Sequence, residues 1–228
     1  PVFDAMASSL KAPITFAEDQ QEIISVGYSN KSMEYHTRNF GILQGELTGI
    51  YQEKNTNTVL CAVKMLEKLG YMHPVNCSPS AVCQNREVRK GFKKVCSLTG
   101  LKGRWQIVNE TPLTICDTGH NVAGWQYLSR QISDVPCRNK HIVFGMVEDK
   151  DVEGVLALLP KEATYYFTKS DNKRALSESI LKLYAQNAGL QGESYPDVQT
   201  AYNAAKKNAE NSDLVFIGGS SYVVADFL

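Results

Sequence analysis

From Leu113 onward the sequence repeats one rhythm, and that rhythm limits the fold more than any other feature. Short apolar runs stand at Leu113–Cys116, His141–Met146, Thr164–Thr168 and Leu214–Ile217, with a weaker one at Glu193–Tyr195. Amphipathic stretches of helical length lie between them, at Val122–Ile132, Val152–Leu159, Ser177–Ala188 and Val198–Ala209. A short helix is expected at Tyr222–Phe227. Strands that alternate with helices predict a parallel sheet with right-handed crossovers. Such sheets bind ligands beyond the carboxyl ends of their strands. Three polar turns fall at that edge: Asp117–Asn121, Glu148–Asp151 and Gly218–Ser221.

The first half has a different texture. A helix is expected over Val2–Leu10, strands over Ala12–Phe16 and Glu22–Val26, and hairpin strands over Tyr35–Leu43 and Glu46–Ile50. Thr56–Leu69 is predicted as a helix, since Val59, Leu60, Val63, Met65, Leu66 and Leu69 share a broad apolar face. Gly70 suits its C-terminal cap. Ser78-Pro79 opens a further helix, running to about Ser97. Gly100 to Trp105 breaks the pattern, and the domain boundary is placed near Val108–Pro112. The expected organisation is residues 1–108, mixed α/β and incomplete, followed by residues 109–228, a Rossmann-like α/β domain. The chain starts at Pro1 inside a helical pattern and is expected to be a piece of a longer protein.

Composition narrows the function. Lys+Arg and Asp+Glu are both 24, so there is no basic field to favour nucleic acid. Six cysteines form no C-x-x-C and only four histidines occur, which speaks against a structural zinc site. His36 and His73 have no paired ligand spacing and read as surface residues. No apolar run is long enough to cross a membrane. With no signal peptide, the expected compartment is the reducing cytoplasm. Neither G-x-x-x-x-G-K-[ST] nor G-x-G-x-x-G is present.

The turn Asp117-Thr118-Gly119-His120-Asn121 gathers an acid, a glycine, an imidazole and an amide at a helix start, where backbone N–H groups are also offered. The bland reading is that Asp117 or Asn121 caps the helix. Gly218 and Gly219 allow close approach of a ligand, and Ser220 either donates to an anion or caps the last helix. Lys173 and Arg174 read as a solvated loop. Asn55 is either an N-cap or an amide able to read a nucleobase edge. Arg104, after Gly103, is a surface arginine or a planar fork for phosphate or carboxylate. Cys116 beside Asp117 should have a raised thiol pKa, which argues against a nucleophile.

Taken in order, these residues resemble the folylpolyglutamate synthase and dihydrofolate synthase group of the Mur ligase superfamily. Tyr51-Gln52 with Asn55 is similar to its Y-Q-x-x-N, and Gly103-Arg104 to its G-R. Asp117 to Asn121 is similar to D-G-A-H-N. Val143-Phe144-Gly145 with Asp149-Lys150-Asp151 is similar to V-F-G and D-K-D. Asp171-Asn172 with Arg174-Ala175 resembles D-x-P-R-A, and Gly219-Ser220 with Tyr222 resembles G-S-x-Y. Order and spacing over almost the whole chain carry the likeness. Two departures occur: Thr118-Gly119 replaces the small Gly-Ala pair, and Val122 replaces a proline.

The resemblance implies the C-terminal half of an ATP-dependent, monomeric ligase that adds glutamate to a folate through an acyl phosphate. It implies that residues 1–108 are the tail of a P-loop ATPase domain. The P-loop, the ligands for Mg2+ and a modified lysine are expected upstream of Pro1. By the same resemblance Asn55, Arg104 and Asp117 contact ATP, while His120 and Ser220 serve the incoming glutamate, His120 as the catalytic residue. Two alternatives stand beside this reading. One is a nucleotide-binding or regulatory module without catalysis, and the other a peptidoglycan Mur ligase fragment.

Overall fold

The protein is described here from a computed structural model that covers residues 2–29, 31–72 and 86–228. It divides into two compact units, Pro1–Glu46 with Gln52–Val95, and Leu47–Tyr51 with Cys96–Leu228.

The larger unit is a six-stranded sheet in the order β4-β5-β9-β6-β7-β8. Its strands are β4 (Gln106–Glu110), β5 (Leu113–Cys116), β6 (Lys140–Phe144), β7 (Thr164–Phe167), β8 (Gln191–Ser194) and β9 (Leu214–Gly218). All neighbouring pairs are parallel except β4 with β5. The helices are α5 (Val122–Asp134), α6 (Val152–Leu158), α7 (Glu178–Asn187), α8 (Val198–Asn208) and α9 (Ser221–Phe227). The expected alternation of strand and helix is therefore the fold of this half.

Alternation along each strand divides the core in two. Ile142, Phe144, Tyr165, Phe167, Leu214 and Phe216 face α5, α6 and α7, where Trp125, Leu128, Leu156 and Leu181 meet them. Val143, Tyr166, Val215 and Ile217 face α8 and α9 through Val198, Ala201, Val223 and Val224. The strands are thus apolar on both faces, the signature of a covered parallel sheet. The order also creates a crevice. The chain leaves β5 and β6 toward one face, but leaves β9, which lies between them, toward the other. Where neighbouring strands send their chains to opposite faces, the loops part and leave room for a ligand.

β4 was not expected from the sequence. The proposed boundary at Val108–Pro112 lies on the hairpin that joins β4 to β5, while the compact units meet in sequence at Val95 and Cys96. A register shift between Ile107 and Asn109 interrupts the alternation of β4, which hides it from a period-two reading.

The smaller unit holds α1 (Val2–Leu10), the antiparallel strands β1 (Ile23–Tyr28), β2 (Met33–Thr37) and β3 (Ile42–Gly45), and helices α2 (Gln52–Lys68) and α3 (Arg86–Lys93); α4 (Val95–Thr99) belongs to the larger unit from Cys96 onward. Met33, Tyr35, Phe40, Leu43 and Leu60 form its core. Three expectations need correction. Ala12–Phe16 is irregular rather than a strand; Pro13 has no N–H for a ladder, and the segment ends in a 3-10 turn at Ala17–Asp19 fixed by Asn57 Nδ2 to the Ala17 carbonyl at 2.7 Å. Tyr35–Leu43 is a hairpin, β2 and β3, not one strand. It turns at Gly41 (φ +67°), whose carbonyl accepts from both the N–H and the hydroxyl of Thr37. Glu46–Ile50 is not a strand: Glu46 N–H donates to the Phe92 carbonyl at 3.1 Å, and Ile50 N–H donates to Gln131 Oε1 at 2.9 Å. Gly70 does close α2, at φ +78°. Of the helix expected from Ser78 to about Ser97, residues 78–85 and the loop residue His73 lie outside the described residues, and the rest forms α3 and α4.

Candidate functional site

The carboxyl edge of the larger sheet is assembled from bare backbone. Gly145 N–H donates to the Gly218 carbonyl at 3.2 Å, and Asp117 N–H to the Ile217 carbonyl at 3.1 Å. A Cβ at Gly219 (φ +100°) would lie 2.5 Å from the Gly145 carbonyl oxygen, and one at Gly218 2.9 Å from that of Asp117. Only glycine lets the three turns close together this far.

Asp117 is the buried polar centre of this edge, at 2% exposure. Its Oδ2 accepts from the Tyr51 hydroxyl and from the Trp105 N–H, both at 2.6 Å, and its Oδ1 accepts from the Gly119 N–H at 2.8 Å. Burial pushes its pKa up, opposed by these three donors and by the nearby Arg104 charge. A carboxylate offers about four acceptor positions. Three are filled, and one on Oδ1 carries no bond among the described residues. Asp117 does not cap α5. Asn121 does, accepting from Gly124 N–H at 2.8 Å.

Arg104 belongs to a tight turn over Asp117. Gly103 (φ +67°) and Trp105 (φ +48°) both adopt left-handed backbone there, and the second of these is what aims the Trp105 N–H at the carboxylate. The Gly103 carbonyl accepts from Thr118 N–H at 2.9 Å, tying the two turns. Arg104 Nη1 donates to Thr118 Oγ1 and to the Gly103 carbonyl. Nη2 and Nε make no bond among the described residues, so most of the fork remains open.

His120 is exposed, and its Nδ1 lies 3.1 Å from the Thr118 carbonyl oxygen. A carbonyl only accepts, so in the neutral ring Nδ1 carries the proton and Nε2 is left as an acceptor. Ser220 is 2% exposed and caps α9, accepting from Tyr222 N–H at 3.0 Å. Its own hydroxyl proton has no acceptor among the described residues. Asn55 lies in the smaller unit, one turn inside α2 rather than at its cap, and donates to Gln52 Oε1 at 3.0 Å. The helix begins earlier than expected, at Gln52, with Glu53 in its first turn.

Cys116 is fully buried and its thiol is pushed up to about 12 by burial and by Asp117, so it is inert as expected. The loop after β7 is exposed at Lys173 and Arg174, as expected, and there Arg174 pairs with Asp149 of the turn after β6. The hydrogen bond from Arg174, helped by its charge, holds Asp149 below the usual carboxylate range.

A family profile described as "Mur ligase, glutamate ligase domain" matches residues 103–221, just over half of the chain. The chain belongs to the Mur ligases. The matched span takes in Arg104, Asp117, His120 and Ser220. Among relatives of this Mur ligase chain, the dihydrofolate synthase/folylpolyglutamate synthase of Buchnera aphidicola (subspecies Schizaphis graminum) is 30% identical over 143 residues, covering 61% of the chain and 33% of the relative. The enzyme of the same name from Escherichia coli K12 is 33% identical over 127 residues, covering 55% and 29%. The solved structure of E. coli FolC in complex with ADP is 26% identical with a TM-score of 0.65, covering 89% of this chain and 44% of that one. The chain therefore spans about a third of the curated relatives it matches and under half of that structure.

Sequence reasoning missed the partners of Asp117. Tyr51 stands in the quoted Y-Q-x-x-N, but nothing in its spacing points to a carboxylate 66 residues away. The Trp105 donor is a backbone group and leaves no trace in residue type.

Proposed function

We propose that this chain is part of an ATP-dependent carbon–nitrogen ligase that joins glutamate to a folate. In the proposed reaction the folate carboxylate takes the terminal phosphoryl group of ATP, and the glutamate amine displaces phosphate from the acyl phosphate. Positioning and charge neutralisation are what such a transfer asks of a protein. Arg104 and Asp117 serve the nucleotide. His120 and Ser220 serve glutamate.

One observation carries the reading. Within the matched Mur ligase span, four residues at the carboxyl edge keep unused bonding capacity: the Arg104 fork, Asp117 Oδ1, His120 Nε2 and the Ser220 hydroxyl. The donors suit phosphate or carboxylate, and the acceptors suit ribose hydroxyls or an ammonium group. Magnesium is a different matter. Among the described residues no three His, Cys, Asp or Glu side chains gather to hold a metal. No step is therefore assigned to a metal on these residues.

The test is binding followed by turnover. The 228-residue chain, titrated with ADP and separately with glutamate while NMR shifts are followed, should bind both in the millimolar range or better. Arg104→Ala should remove the ADP response. The chain has no phosphate-cradling G-x-x-x-x-G-K-[ST] stretch, so with ATP, magnesium, glutamate and a folate it should release no phosphate unaided. Failure to bind either ligand would overturn the reading. The module without catalysis, which that missing pattern favours, keeps the ADP response but shows none to glutamate.

A further inference from the structure

Residues Leu47–Tyr51 belong to the larger unit, although in sequence they lie between the two halves of the smaller one. They run as a strap without regular secondary structure. Gln131 of α5 grips the strap twice, its Nε2 donating to the Thr48 carbonyl and its Oε1 accepting from Ile50 N–H, both at 2.9 Å. The Thr48 hydroxyl reaches the Trp105 carbonyl at 3.5 Å. At the end of the strap the phenol of Tyr51 lies against the bare backbone of Gly49. A Cβ there would come within 2.6 Å of Cε1, 2.8 Å of Cζ and 3.1 Å of the hydroxyl oxygen. These fixings bring the Tyr51 hydroxyl to Asp117 Oδ2 at 2.6 Å.

That contact matters because of how the carboxylate is held. Oδ2 has two donors and Oδ1 has one. Rotating the carboxylate about its Cβ–Cγ bond breaks all three bonds together, so its plane is fixed. Without the Tyr51 hydroxyl, one backbone N–H remains on each oxygen, and a buried charge loses a donor.

We propose that Tyr51 is a positioning residue of the nucleotide site: its hydroxyl, delivered by the strap, fixes Asp117 so that the open acceptor position on Oδ1 is presented to a donor of the ribose-hydroxyl class. The inference rests on the nucleotide reading above and adds a residue to it. Tyr51 does not touch the ligand. It acts through Asp117, and Gly49 is needed because any side chain there displaces the hydroxyl end of the ring.

Tyr51→Phe keeps the packed ring and removes only the hydroxyl. In the 228-residue chain it should weaken ADP binding about tenfold, measured by NMR titration. The pH profile separates positioning from mere support. The titratable and charged groups facing Asp117 are the Tyr51 phenol, the Arg104 guanidinium and the Cys116 thiol. Of these donors and charges Tyr51 is the first to oppose the upward push of burial on Asp117. Without it, Asp117 takes up its proton at higher pH, so ADP binding should fail at a higher pH than in the parent on acidification. The ligand's own titration is common to both proteins. Gly49→Ala retains the hydroxyl but displaces it, and should shift affinity and pH profile in the same direction, which keeps the test open if Tyr51→Phe does not fold. A parent that binds ADP, with variants of equal affinity and pH profile, would overturn the inference and leave the nucleotide reading standing; a lower melting temperature with unchanged binding would overturn it in the same way. A parent that does not bind ADP overturns both.

Discussion

Two buried aspartates stand at opposite ends of the larger sheet, and they are held in opposite ways. Asp213, before β9, lies at the amino edge. Its Oδ1 accepts from the N–H and the side-chain amide of Asn139 at 3.0 and 3.2 Å, and its Oδ2 from Glu210 N–H at 2.8 Å and His141 Nε2 at 3.3 Å. His141 continues to the Tyr166 hydroxyl at 3.0 Å, which accepts from Asn208 Nδ2 at 3.0 Å. Every acceptor position of Asp213 is filled. Asp117, as little exposed to solvent but set deeper in the protein, has one left over. Burial is the largest influence on both carboxyls. At Asp213 the donors outweigh it and the pKa falls, whereas at Asp117 burial wins and the pKa rises. A closed network spends its bonds on the fold, while an open one holds capacity for a ligand.

The largest effect is expected from breaking the closed network. Asp213→Ala leaves His141 Nε2–H and the N–H groups of Asn139 and Glu210 without their acceptor. It should cost about 3 kcal/mol or more in denaturant unfolding. ADP affinity should not change, because the damage lies at the far edge. If the variant lost ADP binding while unfolding like the parent, the division of labour between the edges would be wrong.

Next comes Arg104→Lys. The charge survives, but the bonds to Thr118 and Gly103 and the open fork do not. ADP binding should weaken by about 1.5–3 kcal/mol, the scale of one charge-assisted bond. The melting temperature should stay close to that of the parent. Unchanged binding would return Arg104 to the status of a surface residue.

Acid should pull the two aspartates apart. Asp213 is depressed in the folded state, so its contribution to stability is complete above the ordinary carboxylate value of 3.8 and is lost as pH falls through its lower folded value. Asp117 is raised, so it costs stability above its folded value, and that cost is relieved as pH falls through it toward 3.8. Asp117→Asn has no such relief. Unfolding curves taken at falling pH between neutrality and about pH 4 should therefore show the parent gaining on this variant. A constant difference across the range would mean that Asp117 is not raised in the folded protein.

The same contrast explains what could be read from the sequence. The alternating half was legible because each strand is apolar on both faces and each helix is amphipathic, so packing leaves its mark on residue type. Asp117, His120 and Ser220 were legible as turn residues after apolar runs, and Arg104 as a planar fork behind Gly103. The antiparallel strand β4 was hidden by its register shift, and the β2–β3 hairpin by Phe40, an apolar residue inside its turn that is buried. The donors on Asp117 could not be found, because one is a backbone N–H and another arrives from 66 residues away. The Asp213 network was missed for a related reason. Asn139, His141, Asn208 and Asp213 share no spacing, and only the sheet order, with β9 beside β6, brings them together.

His120 should give the smallest structural effect and the most selective functional one. Its side chain is exposed, and α5 is capped by Asn121, so the turn does not depend on it. His120→Ala removes one bond from Nδ1 to a carbonyl that water can replace, and stability should change by less than about 0.5 kcal/mol. Nε2 is the open acceptor, and a glutamate ammonium is the donor it suits. An amine attacks only as the free base, so an imidazole acceptor beside it has a chemical use. In NMR titrations of the chain, His120→Ala should lose most of its response to glutamate and keep its response to ADP, while Asp117→Asn should do the reverse. The two variants thus separate functions within one edge, as Asp213→Ala separates that edge from the other. Loss of the ADP response in His120→Ala, with the glutamate response intact, would move the imidazole to the nucleotide and leave Ser220 alone with glutamate.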